Sequence, residues 1–329
     1  MDSRKTRRKR RAFARMIGEG FHGKTYHLEA LPLRGEKVTS IVLYTADKTN
    51  ILLKGSDLEE FLAFLSKTKG IIAKVFKSQF LITGSTVHRD FMEELDANER
   101  ILTAYKNNLK FLTITPVTGF RKLRIVGMEL ISDTGSKYVV FSTMCKNVFT
   151  ARDVTPLKEI MESIVVLQKS GYQHNDIKLD NIVKCDDRFK LIDWGQASPI
   201  DEIYVGDMIC TSPVKWYLMG APSYFADKFM DVRAITIDKD YEASPPFREQ
   251  EERIRNEFFA LLGRSQEKEK LMQKYNKTFD IFMAGMTFLQ IIHKFGLSYK
   301  KYKPLIEALT SLEKPISDPA EALRLIKAY

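Results

Sequence analysis

The chain has 329 residues, 44% of them hydrophobic, which supports a real core, excludes global disorder and suits a two-lobed enzyme or two modest domains. Its formal charge is +10, but residues 1–15 hold eight Lys/Arg against Asp2, so the bias lies in the tail and the body is near neutral. Three cysteines, Cys145, Cys185 and Cys210, lie far apart without a CxxC pair, an argument for a reducing compartment and against a zinc ribbon or a disulfide framework.

Residues 1–13 read as a basic disordered tail that would suit nucleic acid, anionic lipid, an acidic protein or an import receptor, or simply a solvated arm. No apolar signal-peptide core follows it. The most apolar later run, Ile281–Ile292, is short and broken by Thr287 and Gln290, so no transmembrane segment is expected and the location expected is intracellular, cytoplasmic or nuclear. Next comes Gly18-Glu19-Gly20-Phe21-His22-Gly23-Lys24-Thr25. Its glycines let backbone N–H groups approach phosphate oxygens without a Cβ in the way. The same residues satisfy the Walker A pattern of a P-loop NTPase. That pattern needs a strand before it and a helix after it, whereas here a basic run precedes and Pro32 and Gly35 follow, so the match is read as coincidence.

Residues 36–70 read as an insertion, with strands at Val38–Tyr44 and Asn50–Leu53 around a turn at Ala46–Thr49, then a short helix Asp57–Ser66. Ile71–Phe76 is an apolar strand with Lys74 in its middle, a position that is costly to bury unless paired. Arg89–Tyr105 reads as a helix with Phe91, Leu95, Asn98, Leu102 and Tyr105 on one face; Glu99, Glu93 and Glu94 lie along it. Phe111–Pro116 and Leu123–Met128 read as a strand pair, Tyr138–Phe141 as a strand, and Val154–Lys169 as an amphipathic helix with Pro156 in its first turn.

The stretch from His174 to Gly195 concentrates Asp176, Lys178, Asn181 and Asp193 in one short segment. Ile182-Val183 and Phe189–Ile192 read as two brief strands about a turn at Cys185–Arg188, a hairpin that would fold Asp176 and Asp193 back toward each other. That geometry suits phosphoryl transfer, in which one carboxylate orients a hydroxyl, another carboxylate and an amide oxygen hold a divalent cation, and a lysine offsets charge. Beyond Gly195 run Cys210–Tyr217 and Ala221-Pro222-Ser223. A second insertion spans about 224–276, with a charged helix Phe247–Tyr275, and helices follow from Asp280, at Pro304–Leu312 and at Pro319–Ala328.

The pattern HxDxKxxN…DxG resembles the catalytic loop and metal-binding motif of eukaryotic-type protein kinases, and Asp-x-Lys-x-x-Asn resembles their serine/threonine branch. Asn175 stands where many of these kinases have Arg, and Trp194 where most have Phe. Divergence and compactness are similar to the kinases of large DNA viruses, the poxvirus and vaccinia-related group, which would also admit a virion-associated location. The resemblance implies an α+β bilobal protein-kinase-like fold with a β-rich N-lobe over 14–132 and a mainly helical, shortened C-lobe over 133–329. It implies ATP and Mg²⁺ (or Mn²⁺) as cofactors, a protein substrate and a monomer.

The implied roles are Asp176 as catalytic base, Lys178 as a γ-phosphate contact, and Asn181 and Asp193 as metal ligands. Gly18, Glu19, Gly20 and Gly23 would cover the phosphates. Lys74 would touch the α/β-phosphates with Glu99 as its partner. Met128, Glu129 and Ile131 would form the hinge against adenine, with Ser142–Cys145 as the competing register. Asp280 would bond the catalytic-loop backbone. The rivals are a catalytically weak pseudokinase or scaffold, a small-molecule kinase and, last, a P-loop NTPase, which leaves the HND and DWG motifs unexplained.

Overall fold

The structure, a computed structural model, describes residues 16–19, 23–28, 37–76, 87–145, 150–201, 240, 243–262 and 276–329. The basic tail, Gly20, Cys210–Tyr217, Ala221-Pro222-Ser223 and the far half of the expected helix Phe247–Tyr275 lie outside them. The chain divides into two compact units, Met1–Asp96 with Ile114–Met144, and Ala97–Thr113 with Cys145–Tyr329. The first therefore keeps residues 133–144, which the sequence reading had given to the second.

The first unit is built on one antiparallel sheet of seven strands: β1 (Met16–Glu19), β2 (Gly23–His27), β3 (Val38–Thr45), β4 (Asn50–Leu53), β5 (Ile71–Phe76), β6 (Ile125–Ser132) and β7 (Gly135–Thr143). Their order across the sheet is β1-β2-β5-β7-β6-β3-β4. The segment expected as an insertion thus supplies one edge. Its β3–β4 turn closes through Thr45 N–H donating to the Thr49 carbonyl at 3.1 Å, with Lys48 left-handed at φ 65°. Helix α1 (Gly55–Leu65) buries Leu58, Phe61 and Leu65, spaced one and two turns apart, against β3 and the Phe120 turn. Phe61 meets Phe120 edge-on with ring centroids 4.9 Å apart, and full burial of such a ring contributes about 2–3 kcal/mol.

One expectation holds here and one changes. Gly23-Lys24-Thr25 lie inside β2, with Lys24 opposite Val75 and Glu19, so no helix opens at the Walker-like sequence. Phe111–Pro116 is not a strand: Leu109–Phe111 form a 3₁₀ turn, and only the isolated bridges Ile114–Ser142 and Val117–Ile125 follow. The apolar residues there are buried one by one rather than along a sheet face, which apolar content alone does not distinguish.

Helix α2 (Val87–Ala104) passes from the first unit to the second after Asp96. The second unit is mainly helical: α3 (Thr155–Lys169), α4 (Pro245–Leu262), α5 (Phe279–Phe295), α6 (Tyr299–Leu309) and α7 (Pro319–Ile326). Thirteen residues of α5 are buried, as expected of a helix enclosed on all sides. Both last helices start on side-chain caps, Ser298 accepting from Lys301 N–H and Asp318 from Ala320 N–H. Ser298 moves the start of α6 upstream of the expected Pro304, which falls inside the helix. Two short ladders complete the unit: the hairpin β9 (Ile182–Cys185) with β10 (Arg188–Leu191), and β8 (Tyr172–Gln173) with β11 (Ser198–Pro199).

The expectation of unpaired cysteines is overturned. Cys145 and Cys185 form a disulfide, with Cα atoms 4.6 Å apart. Their 40-residue separation in sequence gives no hint of this, because β9 brings Cys185 back to Cys145, two residues past the end of β7. Among the described residues no helix is long and apolar enough to cross a membrane.

Candidate active site

In the first unit, Lys74 sits at the centre of β5, paired with Thr25 on one side and Val140 on the other. Its ammonium donates to Glu94 Oε2 at 2.7 Å, which offsets the cost of placing a cation in mid-sheet. The glutamate partner is therefore Glu94, not the expected Glu99. Helical spacing alone does not separate the two: Glu94 lies three residues after Phe91 and four before Asn98, and Glu99 four after Leu95 and three before Leu102. Burial decides it, since Glu94 is only 8% exposed.

The expected hinge is corrected as well. Met128, Glu129 and Ile131 lie inside β6, hydrogen-bonded to β3 on one side and to β7 on the other, so this stretch does not lead out of the sheet. The chain leaves the first unit after β7, at Met144-Cys145, the competing register. Gly18 and Glu19 end β1 and Gly23 begins β2, and these two strands pair antiparallel.

In the second unit, the segment of residues 174–181 is suspended from α5. The Asp280 carboxylate, fully buried, accepts from His174 N–H at 2.7 Å and from Asn175 N–H at 3.0 Å, as the resemblance implies. Thr287 adds a bond to the Ile177 carbonyl at 3.2 Å. The His174 ring accepts from Asp176 N–H through Nδ1 and faces the Ile192 carbonyl with Nε2 at 3.2 Å, so the neutral Nε2–H tautomer satisfies both. Burial pushes its pKa below the ordinary 6.5, outweighing the opposing pull of Asp280, Asp176 and Asp193.

Asp176 Oδ2 accepts from Lys178 Nζ at 2.9 Å and from Asn181 Nδ2 at 2.8 Å. The same amide nitrogen donates to the Asp176 carbonyl, which fixes Asn181 with its nitrogen toward Asp176 and its oxygen turned away. Asp176 Oδ1 is buried and has no hydrogen-bond partner among the described residues. One carboxylate oxygen is thus held in place while the other stays open to accept a proton or a hydrogen bond.

The hairpin sets the remaining geometry. Ile182 pairs with Leu191, and Ile192 N–H donates to the Asn181 carbonyl at 3.0 Å. Asn181 and Asp193 therefore flank the open end of the hairpin. Asp193 adopts left-handed backbone, φ 63° and ψ 66°, a conformation Asp tolerates better than most residues. Trp194 anchors the next position: its indole N–H donates to Thr113 Oγ1 at 3.3 Å, and its ring packs on His174 and Tyr105. A carboxylate and an amide oxygen suit a hard cation that keeps several waters, and Asn181 is already turned with its oxygen available. Among the described residues no group of three or more His, Cys, Asp or Glu forms a protein-only metal cage.

Comparisons with known proteins add little. No protein-family model matches the chain. No curated protein matches it in sequence. Among solved structures it is similar to a ROP18 kinase domain in complex with AMP-PNP and sucrose, at 13% identity and a TM-score of 0.46, covering 95% of this chain and 78% of that one. At 13% identity, what the chain does has to be read from its own side chains.

Proposed function

We propose that this chain is an ATP- and Mg²⁺-dependent serine/threonine protein kinase, transferring the γ-phosphate of ATP to protein hydroxyls. The observation that carries the proposal is the state of Asp176. One oxygen is fixed by Lys178 and Asn181, and the other has no partner among the described residues and could accept a substrate hydroxyl's proton.

In this reading the hydroxyl oxygen attacks the γ-phosphorus as the bond to the bridging β,γ-oxygen breaks, and the hydroxyl proton passes to Asp176 Oδ1. Lys178 offsets charge on the moving group. Asn181 and Asp193 hold the divalent cation, which when bound would neutralise charge on the phosphates. Lys74, oriented by Glu94, contacts the α/β-phosphates, and the glycine turn of Gly18, Glu19, Gly20 and Gly23 covers them. The backbone at the end of β7, residues 142–145, takes the adenine in place of Met128, Glu129 and Ile131.

The test is phosphotransfer from γ-labelled ATP to a panel of proteins by wild type and Asp176→Asn. Loss of turnover by two orders of magnitude or more in the variant, with nucleotide affinity nearly intact, is the expected result. Equal turnover would remove Asp176 as the base. Wild type that binds Mg·ATP but transfers nothing to any protein would favour a binding module on this fold.

A further inference from the structure

Asn175 does more than separate His174 from Asp176. We infer that it is a positioning residue, whose side-chain amide latches the chain just beyond Asp193 to the catalytic loop and so holds Asp193 in place. Its Nδ2 donates to the Gln196 carbonyl at 3.0 Å and to Ser198 Oγ at 2.9 Å. The carbonyl can only accept, so the amide orientation is fixed by chemistry. Asn175 is itself left-handed at φ 65°, and it is completely buried. That backbone aims the side chain across to the later segment rather than along its own.

The latch works on a short, otherwise strained stretch. Asp193 is left-handed and is followed by a single 3₁₀ turn, Trp194–Gln196. On its N-terminal side Ile192 N–H is tied to the Asn181 carbonyl. On its C-terminal side the hold is the Asn175 amide, followed by the Ser198–Gln173 ladder pair and the bond from Ile200 N–H to the Gly171 carbonyl. Asn276 Nδ2 then donates to the Ile200 carbonyl at 2.6 Å while its Oδ1 accepts from Gln173 Nε2 at 3.0 Å. Beyond the Trp194 anchor, the Asn175 amide is the hold nearest Asp193. Its contacts with Gln196 and Ser198 are bonds between neutral groups, so this hold needs no added phosphate or counter-ion and is insensitive to salt.

The consequence for the cation rests on the proposed function, so the experiment has two arms on the full-length chain. In the first, hydrogen–deuterium exchange is followed over residues 197–200 in wild type, Asn175→Gly and Asn175→Asp. Glycine keeps the left-handed backbone and deletes the amide; aspartate keeps the size and backbone but cannot donate to the Gln196 carbonyl. Exchange should rise at least tenfold in both variants, in Asp at least as much as in Gly, with α5 unchanged and wild type unaffected by 0.5 M salt.

In the second arm, MgCl₂ is titrated with a non-hydrolysable ATP analogue present. The Mg²⁺ concentration for half-maximal binding should rise about tenfold in Asn175→Gly. Unchanged exchange in both variants, or an aspartate variant that behaves like wild type and so shows the residue merely fills space, would overturn the latch. Faster exchange with an unchanged Mg²⁺ requirement would overturn its action on Asp193. If wild type binds no Mg²⁺–nucleotide at all, the kinase reading fails, and the action on Asp193 as a metal ligand falls with it, while the exchange arm still decides the latch.

Discussion

Gly127 on β6 lies directly beneath Leu95 of α2: a Cβ at Gly127 would come within 2.8 Å of Leu95 Cδ2 and 2.9 Å of the Val139 carbonyl oxygen. The missing side chain is what lets α2 approach the sheet closely enough for Glu94 to reach Lys74. Gly127→Ala should therefore push the helix outward, at a cost of about 1–3 kcal/mol in stability, and weaken nucleotide binding through the Lys74–Glu94 pair. Thermal unfolding and a nucleotide titration check both. A variant as stable and as tight-binding as wild type would separate helix docking from the pair.

Lys74 and Lys24 make opposite predictions for the two readings of the glycine turn. Lys74 is bonded to Glu94 in the middle of β5, whereas Lys24 belongs to strand β2 rather than to the start of a helix. Lys74→Ala should lower kcat/KM by about a hundredfold or more, and Lys24→Ala by less than about fivefold. The reverse ranking, measured as ATPase or phosphotransfer rates, would restore the P-loop alternative.

The Cys145–Cys185 bond closes a loop of 40 residues. On the chain-entropy account it contributes about 3–4 kcal/mol, so reduction with dithiothreitol should lower the denaturation midpoint and Cys145→Ser should reproduce the loss. The two effects should not add, because both remove one bond. A Cys210→Ser control should leave the midpoint unchanged. A reductant effect that persists in Cys145→Ser would point to a different pairing.

His174 supplies a pH dependence with a defined sign. Its folded pKa lies below the ordinary 6.5 because the ring is buried, so the unfolded chain binds that proton more readily than the folded one. Its contribution is level above about pH 6.5 and destabilises as pH falls below it, by up to about 1.4 kcal/mol per pH unit, until the folded pKa is reached. Urea unfolding from pH 7.5 to 5 should show this slope, and His174→Asn should flatten it by about one proton. An unchanged slope would assign the acid limb to the carboxylates.

The polar constellation itself was legible in the residue order. Asp176, Lys178, Asn181 and Asp193 lie just before and just after one hairpin, and the short separation leaves local pairing little freedom to arrange them otherwise. Strand β5 around Lys74, the helical stripe of Phe91 and Leu95, and the largely apolar α5 following Asp280 were legible for the same reason: their periodicity is local. What the order of residues left open was every choice among neighbours of similar type. Glu94 and Glu99 both fit the stripe of α2, and only close packing at Gly127 and burial favour Glu94. β6 and β7 are both apolar strands, and only sheet order shows that β6 is enclosed and that the chain exits after β7. The disulfide between Cys145 and Cys185 and the reach of Asn175 to Gln196 join positions 40 and 21 residues apart. Such contacts form only once the tertiary fold has met the entropy of closing those loops, so local pattern could not announce them.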